Sequence, residues 1–253
     1  MDFLILIPSV RQSLPEFEDV MAEIKGSLTR ETDTLVLDGS SGKAQTLNRA
    51  LEEIVRPSKR SIVVTLDDDT IPPVGWQDAL VAGFEKVPKA GILSIWLGEE
   101  PDMLQYMNAE QNVLPPETIA GLKVRRIREE QMIPGALLAI RRNLALDIGQ
   151  TPTGKERYQY YEDAFRCLRA WKLGYSLAYV EMDQPLRMIE YKDPEEYLAM
   201  KSADVASARD NLESYLNEES LNRALPLNSH IVKTRLRRMY GALKSRLYRI
   251  LKG

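Results

Sequence analysis

The chain has 253 residues, and its 44% hydrophobic, 28% charged composition excludes wholesale disorder and suits one large domain, or one domain with an appendage. A single Cys167 excludes an internal disulfide or a cysteine zinc site, and His230 alone excludes a histidine cluster. From Lys233 onward lie eight basic residues and no acidic one, so residues 1–232 carry 26 basic against 37 acidic groups, a formal −11 hidden beneath an overall −3.

In chain order, Phe3–Ile7 is a wholly apolar run that predicts a strand buried on both faces. Ser13-Leu14-Pro15-Glu16 reads as a capping box before a helix carrying Phe17, Val20, Met21, Ile24 and Leu28. Thr34–Leu37 predicts a second strand ending at Asp38-Gly39, and Ala44 through Val55 a helix ended by Pro57. Ser61–Leu66 predicts a third strand, which runs into Asp67-Asp68-Asp69. After Pro72-Pro73 comes a helix with Trp76, Leu80 and Phe84, then strands at Gly91–Leu97 and Gly135–Ile140. A helix over Tyr160–Leu173, capped by Gly174, precedes a strand at Tyr175–Val180. Strands alternating with helices predict an α/β fold with a doubly wound, mostly parallel sheet, whose ligands bind beyond the strands' carboxyl ends. From Tyr191 the pattern changes to helix alone, so the chain divides into a body, 1–190, and a helical extension, 191–253.

Neither apolar run, Phe3–Ile7 nor 132–140, approaches the roughly 20 residues that span a bilayer, and no basic region precedes the first. The expectation is a cytoplasmic protein. Trp76, Trp171 and Cys167 read as core packing, and Arg141-Arg142 either as a solvated pair or as phosphate or acceptor contacts. Gly149–Arg157 has a loop's composition and would act as a closing lid that carries Tyr158, Tyr160 and Tyr161 toward a ligand.

Two acidic clusters carry chemistry. Asp67, Asp68 and Asp69 repel one another, so their adjacency gains nothing unless a cation joins them. Mg²⁺ and Mn²⁺ take oxygen ligands, commonly one or two carboxylates completed by water and phosphate. The alternative is a solvated turn whose acids cap the helix after Pro73. Glu162 and Asp163 open a helix; they either complement its dipole or supply a general base.

With these clusters stand FLILIPS, GKAQTLNRAL, VVTLDDDTIPPVGW, IPGALLAIRRNLALDIG and YYEDAFRCLRAWKLGYSLAY, in that order. Over roughly residues 2–190 the chain resembles family 2 glycosyltransferases, with their GT-A nucleotide-sugar-binding fold. The resemblance implies that Pro8, Ser9 and Asp38 line the nucleobase and ribose pocket, with Lys43 and Asn48 flanking the nucleotide. It implies that Asp67 and Asp68 approach the donor, and that Asp69, with Asp67, ligates Mn²⁺ or Mg²⁺ bridging the diphosphate of a UDP-sugar. Asp163 would deprotonate the acceptor hydroxyl with Glu162 beside it, in a direct displacement with inversion.

The chain departs from the pattern in two places. Only a few residues separate Asp38 from the GKA segment, where the family often has a further strand and helix. No histidine follows the Gly-Tyr strand, where the segment reads DQPLRMIEY, so either the metal relies on Asp69, phosphate and water, or Glu190 or Arg187 stands in, an arginine by neutralising diphosphate directly.

The basic end places Leu236, Tyr240, Leu243, Leu247 and Leu251 at helical spacing. Such a helix over 233–252 would bind an anionic membrane surface, making the enzyme peripheral, pack on the body, or contact nucleic-acid phosphate. Two other readings stay open: a sugar-phosphate nucleotidyltransferase, although PSVRQSLPEF lacks the expected glycine-rich loop, and a non-catalytic membrane or nucleic-acid adaptor.

Overall fold

The computed structural model describes residues 1–151, 153, 162–191, 193 and 195. The predicted helical extension, its basic amphipathic helix, His230 and the tyrosines at 158, 160 and 161 lie outside the described residues.

The elements follow as β1 (Phe3–Ser9), α1 (Pro15–Gly26), β2 (Thr32–Asp38), α2 (Lys43–Ala50), β3 (Ile62–Leu66), β4 (Thr70–Ile71), α3 (Trp76–Lys86) and β5 (Ala90–Ile95). Then come α4 (Pro101–Tyr106), α5 (Ala109–Asn112), β6 (Glu117–Ile119), β7 (Leu122–Arg126), β8 (Leu137–Arg141), α6 (Arg142–Ile148), α7 (Glu162–Lys172), β9 (Ser176–Val180) and β10 (Arg187–Met188). Eight strands form one sheet in the order β2-β1-β3-β8-β5-β9-β7-β6. The first three are mutually parallel, as are β5 and β9. β8 is antiparallel to both neighbours, and β7 to both of its own.

The alternation of β1 side chains builds a core on each face. Phe3, Ile5 and Ile7 pack with Phe17, Val20 and Ile24 of α1 and with Trp76 and Leu80 of α3. Leu4 and Leu6 turn the other way, onto Leu47, Ala50, Leu51 and Val55. Full burial of each such side chain contributes about 1.5–3 kcal/mol. The fold is therefore α/β with helices on both faces. Trp76 fills the first core edge-on to Phe3, its indole nitrogen donating to Ser27 Oγ.

Three local expectations change. The capping box at Ser13 does not form: α1 starts from Leu14 without a side-chain cap, because Pro15 takes the first helical position. The helix from Lys43 does not stay α to its end; Leu51–Val55 form a π turn. The segment between β5 and β8, which sequence left without elements, holds two short helices and a hairpin. Its turn residues Ala120 and Gly121 both have positive φ, 49° and 82°. Such turns normally carry Asn-Gly or Asp-Gly, so Ala-Gly gives little signal.

Gly91 sits where the β5–β9 register shifts. A Cβ there would stand 2.6 Å from both Leu144 Cδ2 and Tyr175 Cβ. Gly91→Ala is expected to cost about 1–3 kcal/mol by overpacking, read as a lower urea midpoint with unchanged slope; an unchanged midpoint would mean that β5 and its neighbours yield at no cost.

Candidate functional site

The carboxyl ends of β1 and β3 meet at the acidic triplet. Asp68 turns inward and is buried. Ser9 Oγ donates to its Oδ2 at 2.5 Å, and Arg11 Nη1 to its Oδ1 at 2.6 Å. Arg11 also lies 3.4 Å from Asp69 and forms a two-pronged pair with Asp193, at 2.7 and 2.8 Å. Its guanidinium stands 4.7 Å from the centroid of the Tyr191 ring. The segment around β10 is tied to the same turn: β10 pairs with β4, Ile189 N–H donates to Asp69 O at 2.7 Å, and Tyr191 Oη to Asp68 O at 2.9 Å.

Lys43, the first residue of α2, crosses to the other side. Its Nζ lies 2.6 Å from Asp67 Oδ1 and 2.9 Å from Glu162 Oε1. Glu162 and Asp163 open α7 and are both buried. Asp163 Oδ1 accepts from Ala164 N–H at 2.6 Å. The close approach needs Gly135, where a Cβ would come within 3.0 Å of Lys43 Nζ and 3.5 Å of Asp163 Oδ2. Asp67 N–H donates to Ala136 O at 2.9 Å, which fixes this stretch against the triplet.

The result is one cleft of about 490 Å³ whose walls carry Pro8, Ser9, Lys43, Asp67, Asp68, Asp69, Glu162 and Asp163. Burial raises the pKa of all three triplet acids, with Arg11 and Lys43 pulling the other way. Burial and then the charge of Glu162 push Asp163 up to about 7. Lys43 is held well above its ordinary range: burial would lower it, but Asp67 and Glu162 outweigh burial.

Two residues expected at the nucleotide stand elsewhere. Asp38 is exposed and closes its own turn, accepting from Ser40 N–H and Oγ at 2.9 Å each. Asn48 exchanges two hydrogen bonds with the Thr151 backbone. Neither lines the cleft. Of the two proposed histidine substitutes, Arg187 pairs with Glu23 of α1 and Glu190 is exposed; neither is among the lining residues. Arg141 and Arg142 donate to backbone carbonyls of Phe84, Ala90, Val55 and Arg56, so they brace the fold. Arg11, Tyr106 and Met132 also line the cleft. Arg11 had a legible signal, a cation two residues beyond Ser9 that could answer the triplet; Tyr106 had none.

Among the described residues no group of three or more His, Cys, Asp or Glu is arranged to hold a metal ion. The donor set nevertheless suits a hard cation bound mainly through substrate. Asp67 and Asp69 border open space, and Asp69 has only long contacts, 3.4 Å to Arg11 and 3.3 Å to Thr70 Oγ1. One or two carboxylates with phosphate and water is how Mg²⁺ is commonly held.

No family model and no curated protein matches this sequence. Solved structures do. A mannosyltransferase from Pyrobaculum calidifontis, solved with GDP-Man and Mn²⁺, is 15% identical with a TM-score of 0.52, over 84% of this chain and 64% of that one. This chain thus spans less than two thirds of that enzyme. Glucosyl-3-phosphoglycerate synthase from Mycobacterium tuberculosis, solved with Mn²⁺, UDP and phosphoglyceric acid, is 15% identical with a TM-score of 0.47, over 81% and 76%. The fold is GT-A-like. At this identity the first likeness speaks to architecture alone, and at its lower score the second carries no argument.

Arg11→Ala would leave Asp68 buried without its cation, which costs about 3–5 kcal/mol; a loss under about 1 kcal/mol in chemical unfolding would mean that the pair adds nothing net. Asp163 acts on stability in the opposite sense. Its native pKa, about 7, exceeds the ordinary 3.8, so the native state keeps a proton that the unfolded chain releases. Stability therefore falls as pH rises through that window. Asp163→Asn should raise Tm by roughly 2–8 °C above pH 7 and have little effect below pH 3.8. An equal shift at both pH values would remove the charge argument.

Proposed function

We propose that this chain is a glycosyltransferase of the family 2 type, moving a sugar from a nucleotide diphosphate donor, in our reading a UDP-sugar, to an acceptor hydroxyl with inversion. The observation that carries this reading is the single cleft in which the triplet at the end of β3 faces Asp163 at the start of α7, with Lys43 between them. The GT-A-like fold, the architecture of a neighbour solved with GDP-Man and Mn²⁺, supports it.

Asp69 and Asp67 would hold Mn²⁺ or Mg²⁺. When bound, the cation neutralises charge developing on the leaving diphosphate. Lys43 adds fixed positive charge beside Asp67 and holds Glu162. Asp163 takes the proton from the acceptor hydroxyl. The acceptor oxygen then bonds to the anomeric carbon as the bond to the diphosphate breaks, and its electron pair leaves with the diphosphate. A base near pH 7 suits this work, because a group already ionised yet still basic transfers protons best. Pro8, Ser9 and Gly39 border the side left for the nucleoside.

The basic end, outside the described residues, is read as a contact for an anionic membrane surface, which would make the enzyme peripheral on the cytoplasmic side. Among the described residues no helix is long and apolar enough to cross a membrane.

The test is release of nucleoside diphosphate from a panel of nucleotide sugars with Mn²⁺. Turnover of at least one donor is expected, with Asp163→Asn cutting transfer by about 10²–10⁴-fold while donor affinity holds. No binding or turnover across the panel would reject the enzyme; near-normal transfer by Asp163→Asn would place the base elsewhere.

A further inference from the structure

Tyr106 ends α4, an element with no buried residue, yet the side chain reaches the catalytic cleft. It is 43% exposed, among the few large apolar or aromatic residues left open on the described surface. It lines the same cleft as Asp67, Asp69 and Asp163.

The sheet order says which half of the cleft this is. Pro8, Ser9 and Gly39 come from the ends of β1 and β2, on one side of the triplet. α4 follows β5, which lies beyond β8 on the opposite side and next to β9. Met132 and Pro134, from the stretch leading into β8, line the cleft with it. Tyr106 thus shares the half of the cleft that holds Asp163, away from the residues left for the nucleoside.

We propose that Tyr106, backed by Met132 and Pro134, is the platform for the acceptor, and that the acceptor group resting on it is a pyranose ring. This rests on the transferase reading. An exposed aromatic face beside carboxylates selects a particular chemistry. A hydrocarbon chain could use the ring but would desolvate the acids without satisfying them. A pyranose presents both requirements: an apolar face of C–H groups for the ring, and hydroxyls around its edge for Asp163 and its neighbours. A tyrosine supplies that contact area at low entropic cost, having only two side-chain torsions. The nucleobase is the other planar candidate, but it would have to cross the triplet to reach this wall.

The experiment uses the full chain with Mn²⁺ and a turned-over donor, and offers methyl α- and β-pyranosides of glucose, galactose, mannose and N-acetylglucosamine against 1-octanol. Saturation-transfer NMR reads contact with ring protons, and initial rates read KM. Wild type should show transfer to ring C–H protons of at least one glycoside. Tyr106→Ala should raise that acceptor's KM about tenfold or more, and Tyr106→Phe, which keeps the face, should stay within about twofold. Nucleoside diphosphate affinity should be unchanged in both. An acceptor KM unmoved by Tyr106→Ala, a loss in Tyr106→Phe equal to that in Tyr106→Ala, or a shifted nucleotide affinity would overturn the platform. A wild type that hydrolyses donor yet shows no contact with any glycoside, or transfers only to octanol, would overturn the pyranose. Failure to bind any donor would instead remove the transferase reading itself.

Discussion

Like charges crowded at one end of a sheet are the constraint around which this molecule is arranged. Asp67, Asp68, Asp69, Glu162 and Asp163 share the walls of a cleft with Arg11 and Lys43. Carboxylates at such spacing raise one another's cost of ionisation, and burial raises it further. The fold answers in two ways. Asp68 is withdrawn to Ser9 and Arg11, where it is fully engaged. Asp67 shares Lys43 with Glu162, and that one ammonium joins the start of α2, the end of β3 and the start of α7. Asp69 and Asp163 are left with the weakest compensation, and they are the two acids to which the proposed function gives a reactive partner.

The triplet is held from behind as well as from the cleft. Arg11 gathers Asp68, Asp69 and Asp193, while after β10 the Ile189 N–H donates to Asp69 O and the Tyr191 hydroxyl to Asp68 O. A turn carrying three acids would otherwise relax toward solvent. Here β10, Ile189 and Tyr191 pin its backbone, so the carboxylates keep their separate directions. This is the stretch in which the resemblance calls for a histidine. The chain uses it to position the triplet through β10, Tyr191 and Asp193, and turns Arg187 outward to Glu23.

Much of the sheet was legible because its strands are buried on both faces. Phe3–Ile7 is an uninterrupted apolar run and Ile62–Leu66 is broken only by Thr65, and both suit a short strand between two helical layers. Direction was not legible in the same way: Leu137–Arg141 looks like its parallel neighbours, and only its pairing reveals that it runs against them. The acids were legible because their adjacency is costly, whereas their partners were not. Asp38 entered the nucleobase pocket only through the resemblance, and the short connection to α2 lets Ser40 satisfy it locally. Tyr106 lies on a helix with no buried face and therefore no periodicity, so its position became visible only when the cleft was assembled.

In the proposed function, the surplus of negative charge at Asp67 and Asp69 is completed by a divalent cation arriving with a diphosphate. The direct measurement is the electron paramagnetic resonance of Mn²⁺ in solution, whose free-ion signal is lost on binding. The signal should fall when protein and UDP are present together, beyond what either causes alone, and Asp69→Ala should restore it. A signal that protein and UDP together leave unchanged beyond the effect of UDP alone, or one that Asp69→Ala does not alter, would contradict the account at its centre.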